Sequence, residues 1–175
     1  SKQHDQLIIR GGILINSTGA PPIGPVDIVI EKNIISKVQN VGYPGIPISD
    51  NRRPKLSKNG VEINCEGSYI LPGFIDTHGH IGGRSQGASP DYVFKLWMAH
   101  GITTIREPGG SLSHELKLEL KNKSEKNTIV APRIIAFSTF NSRVQSPDEA
   151  KEWVRENAKK GSDGIKFFGA PPEIM

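Results

Sequence analysis

The sequence has too little cysteine for covalent cross-linking and no stretch apolar enough to cross a membrane. Its single cysteine, Cys65, excludes an internal disulfide and leaves the redox compartment undecided. No apolar run approaches the ~20 residues of a membrane-spanning helix, and aromatic residues make up only 6% of the 175 residues. These shortages exclude a disulfide-stapled domain and a membrane span.

An excess of one charge sign is also missing. The chain has 22 basic and 18 acidic residues, so its formal net charge is only +4. The densest basic run, Arg52-Arg53-Pro54-Lys55 with Lys58 nearby, lies in a stretch rich in proline and glycine and has no interleaved aromatic residues on which bases could stack. We therefore expect a solvated loop there and no nucleic-acid partner.

The first 72 residues have the pattern of a small β-rich domain. Short runs of β-branched and apolar residues, such as Leu7-Ile8-Ile9 and Val26-Asp27-Ile28-Val29-Ile30, are separated by the turn-forming pairs Gly11-Gly12 and Lys32-Asn33. This pattern predicts hairpins in a β-sandwich. Residues 41–60 form a proline- and glycine-rich insertion without periodicity, which we expect to be mobile.

From Gly73 onward, strand and helix patterns alternate, which is typical of a parallel sheet covered by helices. The third helix has the clearest start, because Ser146, Pro147 and Glu149 form a capping box, and Gly161 ends it. Apolar residues at helical spacing predict buried faces on the second and third helices: Leu112, Leu116 and Leu120, then Ala150, Trp153, Val154 and Ala158. The predicted strands span residues 74–78, 103–106, 133–137 and 164–168, and the helices begin near Ser89, Ser111 and Ser146.

Two histidines stand at the end of the first of these strands, in the segment Leu71-Pro72-Gly73-Phe74-Ile75-Asp76-Thr77-His78-Gly79-His80. Alternate residues of a strand point to the same face, so His78 and His80 are predicted to share one face, and Gly79 leaves the other face open. Two imidazoles on one face are half of a metal site. The pair alone is a weak signal, because chance His-x-His pairs on protein surfaces are common.

This segment, following a β-rich N-terminal region, resembles the amidohydrolase superfamily of metal-dependent hydrolases, in particular its imidazolonepropionase- and dihydroorotase-like members. Gly101-Ile102-Thr103-Thr104-Ile105-Arg106 is similar to the second barrel strand of that family, and Gly161-Ser162-Asp163-Gly164-Ile165-Lys166 to the fourth. The resemblance implies an α/β fold of the (β/α)8 TIM-barrel type. Residues 73–175 would be the first half of the barrel, and residues 1–72 a small, incomplete β-sandwich domain that C-terminal strands complete.

The resemblance also implies a metal centre. In the family, His78 and His80 would bind metal, and Lys166, carboxylated by CO2, would bridge two divalent ions. A complete barrel takes about 250 residues, and its later strands carry two further histidines and the aspartate that acts as general base. We therefore expect no catalytic residue within this chain, and we expect its partner to be the missing C-terminal half of the barrel or a second copy. The chain begins at Ser1, so a cytoplasmic location and export to the periplasm after removal of a leader both stay open.

The residue types account for the chemistry that the resemblance implies. Lys166 lies between Ile165 and Phe167, so if those two pack under the helices the lysine faces the barrel interior, where a neutral amine can attack CO2. Imidazole and oxygen donors suit Zn2+, with Mn2+, Fe2+ or Co2+ as alternatives. Two such ions would activate a water and polarise the scissile carbonyl. We therefore predict a binuclear hydrolase that cleaves linear or cyclic C–N amide bonds of a small molecule through a metal-activated hydroxide.

Two other functions stay open. A mononuclear deaminase of the same superfamily would hold one metal and need no bridging lysine. A non-catalytic, truncated relative would act only as an interaction module and hold none. The metal content of the complete protein distinguishes the three.

Weaker hypotheses concern the roles of other polar residues near the strand ends. Asp76 orients a ligand or caps the floor of the barrel, and Arg84 reaches a substrate carboxylate or is simply exposed. Glu107 stands where relatives often have aspartate, which puts a supporting role for it in doubt. No substrate-binding residue is assigned, because specificity is expected from loops after the later strands. The remaining histidines are expected to be terminal, structural or solvated: His4, His100 and His114.

The isolated chain of 175 residues is expected to be marginally stable, because four parallel strands leave two unpaired edges and an uncovered apolar interior. It should aggregate or self-associate, and it should lack hydrolytic activity. Its mass in solution, its metal content and its amidase activity test this expectation. A stable, active monomer with two tightly bound metals would contradict it.

Overall fold

The computed structural model describes residues 4–140 and 143–174. The fold is mixed α/β, and the chain divides into two compact units between Pro72 and Gly73. Each unit has its own sheet, and the sheet of the second unit is parallel. None of the helices in the described ranges has the length and apolar character needed to cross a bilayer.

The first unit is built around β1 (Gln6–Leu14), which has partners on both sides. On one side, β2 (Ile23–Glu31) runs antiparallel to β1, and β3 (Ile34–Asn40) runs antiparallel to β2. On the other side, β4 (Val61–Asn64) and β5 (Tyr69–Ile70) pair with successive parts of β1 in parallel. The buried apolar residues of this sheet include Ile8, Val26, Ile28 and Val29.

The Gly11-Gly12 pair lies within β1 and does not form the turn that the sequence predicted. The register with β2 shifts on both sides of Gly12, so the pair forms a bulge. Gly11 has a φ of +73°, and a Cβ atom at Gly12 would lie 2.4 Å from Cδ1 of Ile70. The predicted β-sandwich stays a prediction, because the described strands of this unit form one sheet and the prediction assigns the completion to strands beyond the chain.

The sequence predicted that the basic run after β3 is solvated. This is wrong for Arg53, which pairs with a buried carboxylate. Asp27 on β2 is fully buried, and its two oxygens accept hydrogen bonds from Nε and Nη2 of Arg53, both at 3.1 Å. Nη1 of Arg10 and the Gly11 amide donate to the same carboxylate at 3.0 and 2.9 Å. The insertion is therefore anchored to β2 at Arg53, and to β1 at Pro54, whose carbonyl accepts from Nη1 of Arg10 at 2.9 Å. The mobility of its other residues stays a prediction.

The second unit alternates strands and helices. Its strands pair in parallel in chain order: β6 (Phe74–Asp76), β7 (Ile102–Glu107), β8 (Arg133–Thr139) and β9 (Gly164–Lys166). A helix follows each of the first three: α1 (Pro90–Ala99), α2 (His114–Glu125) and α3 (Pro147–Lys160). Each helix starts after a serine whose side chain accepts a hydrogen bond from the amide three residues later: Ser89, Ser113 and Ser146.

These boundaries confirm most of the local predictions and correct three. α1 and α3 start where the capping residues predicted, and α3 ends at Gly161 in the left-handed conformation, with φ of 101°. α2 starts later than predicted, since Ser113 and not Ser111 caps it. β6 and β9 are shorter than predicted and end at Asp76 and Lys166.

The helices cover one face of the parallel sheet. The buried core there consists of Ile81, Phe94, Ile105, Ile134 and Ala136. We refer to this face as the helix face and to the opposite one as the open face. Register partners on neighbouring parallel strands lie on the same face of the sheet. Each remaining strand residue is therefore assigned to the helix face or the open face according to its register partner.

Two polar side chains that lie outside the predicted apolar stripes are buried in the second unit. In α2, Lys117 is only 2% exposed and donates from Nζ to the Phe137 carbonyl at 3.1 Å, whereas the predicted leucines are half-buried. In α3, Asn157 is buried and Ala158 is exposed. Oδ1 of Asn157 accepts from the Ser138 hydroxyl at 2.9 Å. Hydrogen bonds to the sheet therefore compensate the burial of both polar groups.

Asp27 makes the stability of the first unit dependent on pH. Burial alone would raise the pKa of its carboxyl, but hydrogen bonds from Arg53, Arg10 and Gly11 outweigh burial and hold the pKa below its ordinary value of 3.8. A carboxylate with a lowered folded-state pKa stabilises the fold above pH 3.8 and loses that contribution as the pH falls through the folded-state pKa.

We expect Asp27→Asn to lower the free energy of unfolding at neutral pH by about 3 kcal/mol, because it removes one partner from a buried ion pair. The variant should also lose less stability on acidification than the wild type. Urea unfolding followed by circular dichroism at a series of pH values measures both effects. Asp50→Asn, at an exposed position in the insertion of residues 41–60, is the control. Equal stability of Asp27→Asn and wild type at neutral pH would show that the ion pairs contribute nothing net.

Candidate metal centre

The sequence predicted the two histidines at the end of a strand. In the structure, His78 and His80 lie in the loop after β6, because β6 ends at Asp76. The loop still brings the two imidazoles together. Their ring centroids are 5.8 Å apart and their planes are nearly perpendicular, at 89°. The His78 residue is exposed, and the His80 side chain is 35% exposed. Their proximity therefore results from the path of the loop and not from strand alternation.

Gly79 packs the loop against the helix-face core. A Cβ atom at this position would lie 2.6 Å from Cδ1 of Ile105 and 3.2 Å from Cζ2 of Trp97. The Gly79 amide donates to the carbonyl of Arg106 on β7 at 3.1 Å. A larger residue would push the loop away from β7 and change the positions of both histidines.

A buried carboxylate orients His80. Oε1 of Glu107, at the end of β7, lies 3.0 Å from Nδ1 of His80, and Glu107 is only 1% exposed. Because an ionised carboxylate only accepts hydrogen bonds, this contact fits the tautomer in which Nδ1 carries the proton and Nε2 has the lone pair. The same carboxylate accepts from the amides of Ile81 and Gly109 at 2.8 and 2.9 Å. Glu107, whose supporting role the sequence left in doubt, therefore contacts a candidate ligand directly.

The backbone of the histidine loop is held at further points. The His78 amide donates to Oδ1 of Asp76 at 2.8 Å, and Nε of Arg106 donates to the Thr77 carbonyl. Nε1 of Trp97 donates to the His80 carbonyl at 3.3 Å. Asp76 thus contacts the backbone of a candidate ligand, which supports the hypothesis that it orients one.

Lys166 lies at the end of β9 on the open face of the sheet. Its register partner on β8 is Thr139, whereas Ile165 is the partner of Ser138, whose side chain is buried on the helix face. The lysine is half-buried, and Nζ lies 5.2 Å from the centroid of the Phe168 ring. The register therefore puts Lys166 on the face that its position between two hydrophobic residues predicted.

Two consecutive glycines after β7 lie between His80 and Lys166. A Cβ atom at Gly110 would lie 3.3 Å from Nδ1 of His80, and one at Gly109 would lie 3.6 Å from Cγ of Lys166. Consecutive Cα atoms are only about 3.8 Å apart. The two candidate ligands thus each lie close to one residue of the same dipeptide, where side chains would crowd them.

These residues fit part of a metal site. Imidazole suits Zn2+ and related divalent ions, and metal-binding histidines commonly donate their second ring N–H to a carboxylate, as His80 does to Glu107. Within residues 4–140 and 143–174, no group of three or more His, Cys, Asp or Glu side chains is placed to hold a metal. His78, His80 and Lys166 would therefore need further ligands from outside this part of the chain.

The other candidates from the sequence do not join this group. Arg84 is exposed in a short 3-10 turn, and His4 is exposed near the N terminus. His100 follows α1, and its Nδ1 lies 2.8 Å from the carbonyl oxygen of Leu96. These contacts give no role in binding metal.

His114 is structural, as the sequence predicted. Its Nε2 lies 3.0 Å from Oγ of Ser162 and 3.2 Å from Oγ of Ser138. Burial and the nearby positive charge of Lys117 lower the pKa of its imidazole. Burial likewise lowers the pKa of the Lys117 amine. Sequence reasoning missed Lys117, because a lysine in a polar helix gives no local sign that it will be buried.

No family model matches the chain. Among curated proteins, adenine deaminase from Bacillus subtilis (strain 168) is 39% identical over 83 residues, which cover 45% of this chain and 14% of that protein. Dihydroorotase from Thermoanaerobacter sp. (strain X514) is 32% identical over 76 residues, which cover 43% of this chain and 14% of that protein. Both relatives are enzymes.

Among solved structures, a Xaa-Pro dipeptidase with bound methionine in its active site superposes with a TM-score of 0.61 and 23% identity. The match covers 93% of this chain and 46% of the dipeptidase chain. This likeness shows a shared fold. The chain spans less than half of the solved structure, and the matches cover only 14% of each of the two curated relatives.

Removing the Glu107 carboxylate should destabilise the second unit. Glu107→Ala leaves three hydrogen-bond donors without their acceptor. Each donor that stays buried and unsatisfied lowers the free energy of unfolding by about 1–3 kcal/mol. Glu107→Gln keeps one acceptor oxygen and should lose less. Thermal unfolding followed by tryptophan fluorescence, to which Trp97 in contact with the core and Trp153 on α3 both contribute, measures the loss, with exposed Glu125→Ala as the control. A melting temperature of Glu107→Ala equal to that of the control would contradict this account.

Proposed function

We propose that this chain, which belongs to the amidohydrolase superfamily, contributes the metal ligands His78, His80 and Lys166 to a hydrolase that cleaves C–N amide bonds at a binuclear centre. The similar proteins support hydrolase or deaminase chemistry in general. The proposal of a binuclear centre depends on the geometry around the two histidines and Lys166.

The observation that carries the proposal is the contact between Nδ1 of His80 and the Glu107 carboxylate. It leaves Nε2 as the only ring nitrogen of His80 that can bind a cation. The second imidazole, His78, lies 5.8 Å away between ring centroids and is exposed. A histidine with a purely structural role would not require a second, exposed imidazole beside it.

Lys166 is the reason for proposing two metal ions. Its side chain lies on the open face beyond the glycine pair that separates it from His80. A neutral lysine amine adds to CO2 and loses a proton, which gives a carbamate anion with two oxygens. A carboxylated Lys166 would therefore offer two oxygens and could join two divalent ions, whereas an unmodified amine has a single donor atom and could not.

When bound, two divalent ions, in our proposal Zn2+, supply Lewis-acid activation of a water molecule and of the substrate carbonyl. Within this chain, the Glu107 carboxylate would orient His80 through Nδ1, and Arg106 and Asp76 hold the backbone that carries His78. We propose that the general base and the remaining ligands come from the rest of a (β/α)8 barrel, which would also cover the open face of the sheet.

The proposed substrate is a small molecule with a linear or cyclic amide bond. The fold similarity to a Xaa-Pro dipeptidase is compatible with a linear amide. A deaminase is the second candidate, because the Bacillus subtilis relative is named adenine deaminase and matches 45% of the chain. A mononuclear deaminase site would give Lys166 no role as a bridge.

Metal content and turnover of the complete protein test the proposal. We expect two equivalents of Zn2+ in the wild type, a loss of at least one equivalent in Lys166→Ala, and turnover of N-acyl amino acids, dipeptides or cyclic amides that Lys166→Ala abolishes. His78→Asn and His80→Asn should each lower metal content, whereas His100→Asn, a matched change at the end of α1, should not.

Other results would contradict the proposal in different ways. One equivalent of metal and ammonia release from adenine would favour the deaminase. Unchanged metal content and turnover in Lys166→Ala would exclude the bridge. Equal metal loss in all three histidine variants would mean that the substitutions impair folding and not ligation.

A further inference from the structure

We infer that Asp76 and Arg106 are positioning residues for His78, because they hold the two ends of the one peptide group that precedes its side chain. The inference rests on the proposed function, in which His78 is a metal ligand. It assigns to this chain a pair of residues that fix the direction of a ligand without touching its imidazole.

The Thr77 carbonyl and the His78 N–H belong to the same planar peptide group. Nε of Arg106 donates to the carbonyl oxygen, and Oδ1 of Asp76 accepts from the N–H at 2.8 Å. Hydrogen bonds at both ends of a rigid plane restrict its rotation about the line between the flanking Cα atoms. They therefore restrict ψ of Thr77 and φ of His78, and with them the direction in which the imidazole leaves the backbone.

Arg106 also restricts the next peptide group. Its carbonyl oxygen accepts from the Gly79 amide at 3.1 Å, so one residue contacts the peptide groups on both sides of His78. The guanidinium is itself held on the open face, since its Cζ lies 5.4 Å from the centroid of the Phe137 ring. An arginine stacked on an aromatic ring loses less freedom on forming a further hydrogen bond.

His80 has a different support, which explains why His78 needs one through its backbone. The ring of His80 is held by the Glu107 carboxylate, and the peptide group between His80 and Ile81 is held by Trp97 and by the same carboxylate. The ring contact described for His78 is with the perpendicular ring of His80, and His78 is exposed. Its orientation therefore depends on the peptide group that Asp76 and Arg106 hold.

Zn2+ affinity of the complete protein, measured by competition with a chelator, provides the first test. Losing a residue that orients a ligand typically weakens metal binding by about 10–100-fold, and we expect losses in that range for Asp76→Ala and Arg106→Met. Asp76→Asn should bind Zn2+ within about threefold of wild type, because its amide oxygen can still accept from the His78 N–H. A carboxylate that itself bound the metal would not be rescued by asparagine.

Hydrogen exchange of the metal-free protein provides a second test that does not depend on activity. The His78 amide should exchange faster in Asp76→Ala, and also in Arg106→Met, although Arg106 does not contact that N–H. The amide of Ile134, in the buried core of β8, should keep its wild-type rate in both variants and so report any general loss of stability. Matched controls are Asp91→Ala and Arg133→Met, both at exposed positions of the same unit.

Each result either supports or overturns the inference. Faster exchange at His78 but not at Ile134, together with weaker Zn2+ binding, supports it. Wild-type exchange at His78 in Arg106→Met, equal acceleration at His78 and Ile134, or wild-type Zn2+ affinity in Asp76→Ala and Arg106→Met overturns it. Failure of the proposed function looks different, because His78→Asn and His80→Asn would then leave the Zn2+ content unchanged.

Discussion

A carboxylate without access to water must find its hydrogen-bond donors inside the protein, and Glu107 finds three of them in the loops that carry the candidate site. Two of these donors, Nδ1 of His80 and the Ile81 amide, belong to the loop after β6. The third, the Gly109 amide, belongs to the segment after β7. Both loops must therefore keep their paths if the buried charge is to stay satisfied. The orientation of His80 follows from this requirement.

The first unit solves the same physical problem with different donors. Asp27 is buried in the sheet as completely as Glu107, and two arginines and one backbone amide satisfy it. In this case the result is structural, because Arg53 anchors an irregular insertion to β2. In each unit a buried carboxylate thus determines where a loop that is distant in sequence contacts the sheet.

The two faces of the parallel sheet in the second unit carry different kinds of residue. The helix face carries the apolar core, together with the polar side chains of Lys117 and Asn157, whose hydrogen bonds reach β8. The open face carries Arg106, stacked on Phe137, and Lys166 at the end of β9. Lys166, a candidate ligand, therefore lies on the face opposite the apolar core.

The sequence by itself determined the features that depend on neighbours a few residues away. Local hydrogen bonds or the strand period account for the serine caps of α1 and α3, the alternation of strands and helices after Gly73, and the face of Lys166. The resemblance that named the ligands also depended on such local motifs.

Only the tertiary structure decided which distant residues meet. Glu107 and His80 are 27 residues apart, and Arg53 and Asp27 are 26 apart. The path of the histidine loop, the burial of Lys117 and the contacts of Arg106 depend on equally distant partners. No local pattern distinguishes the one acid that will be buried against a histidine from the many that stay in solvent, because the donors that make its burial tolerable lie on another part of the chain.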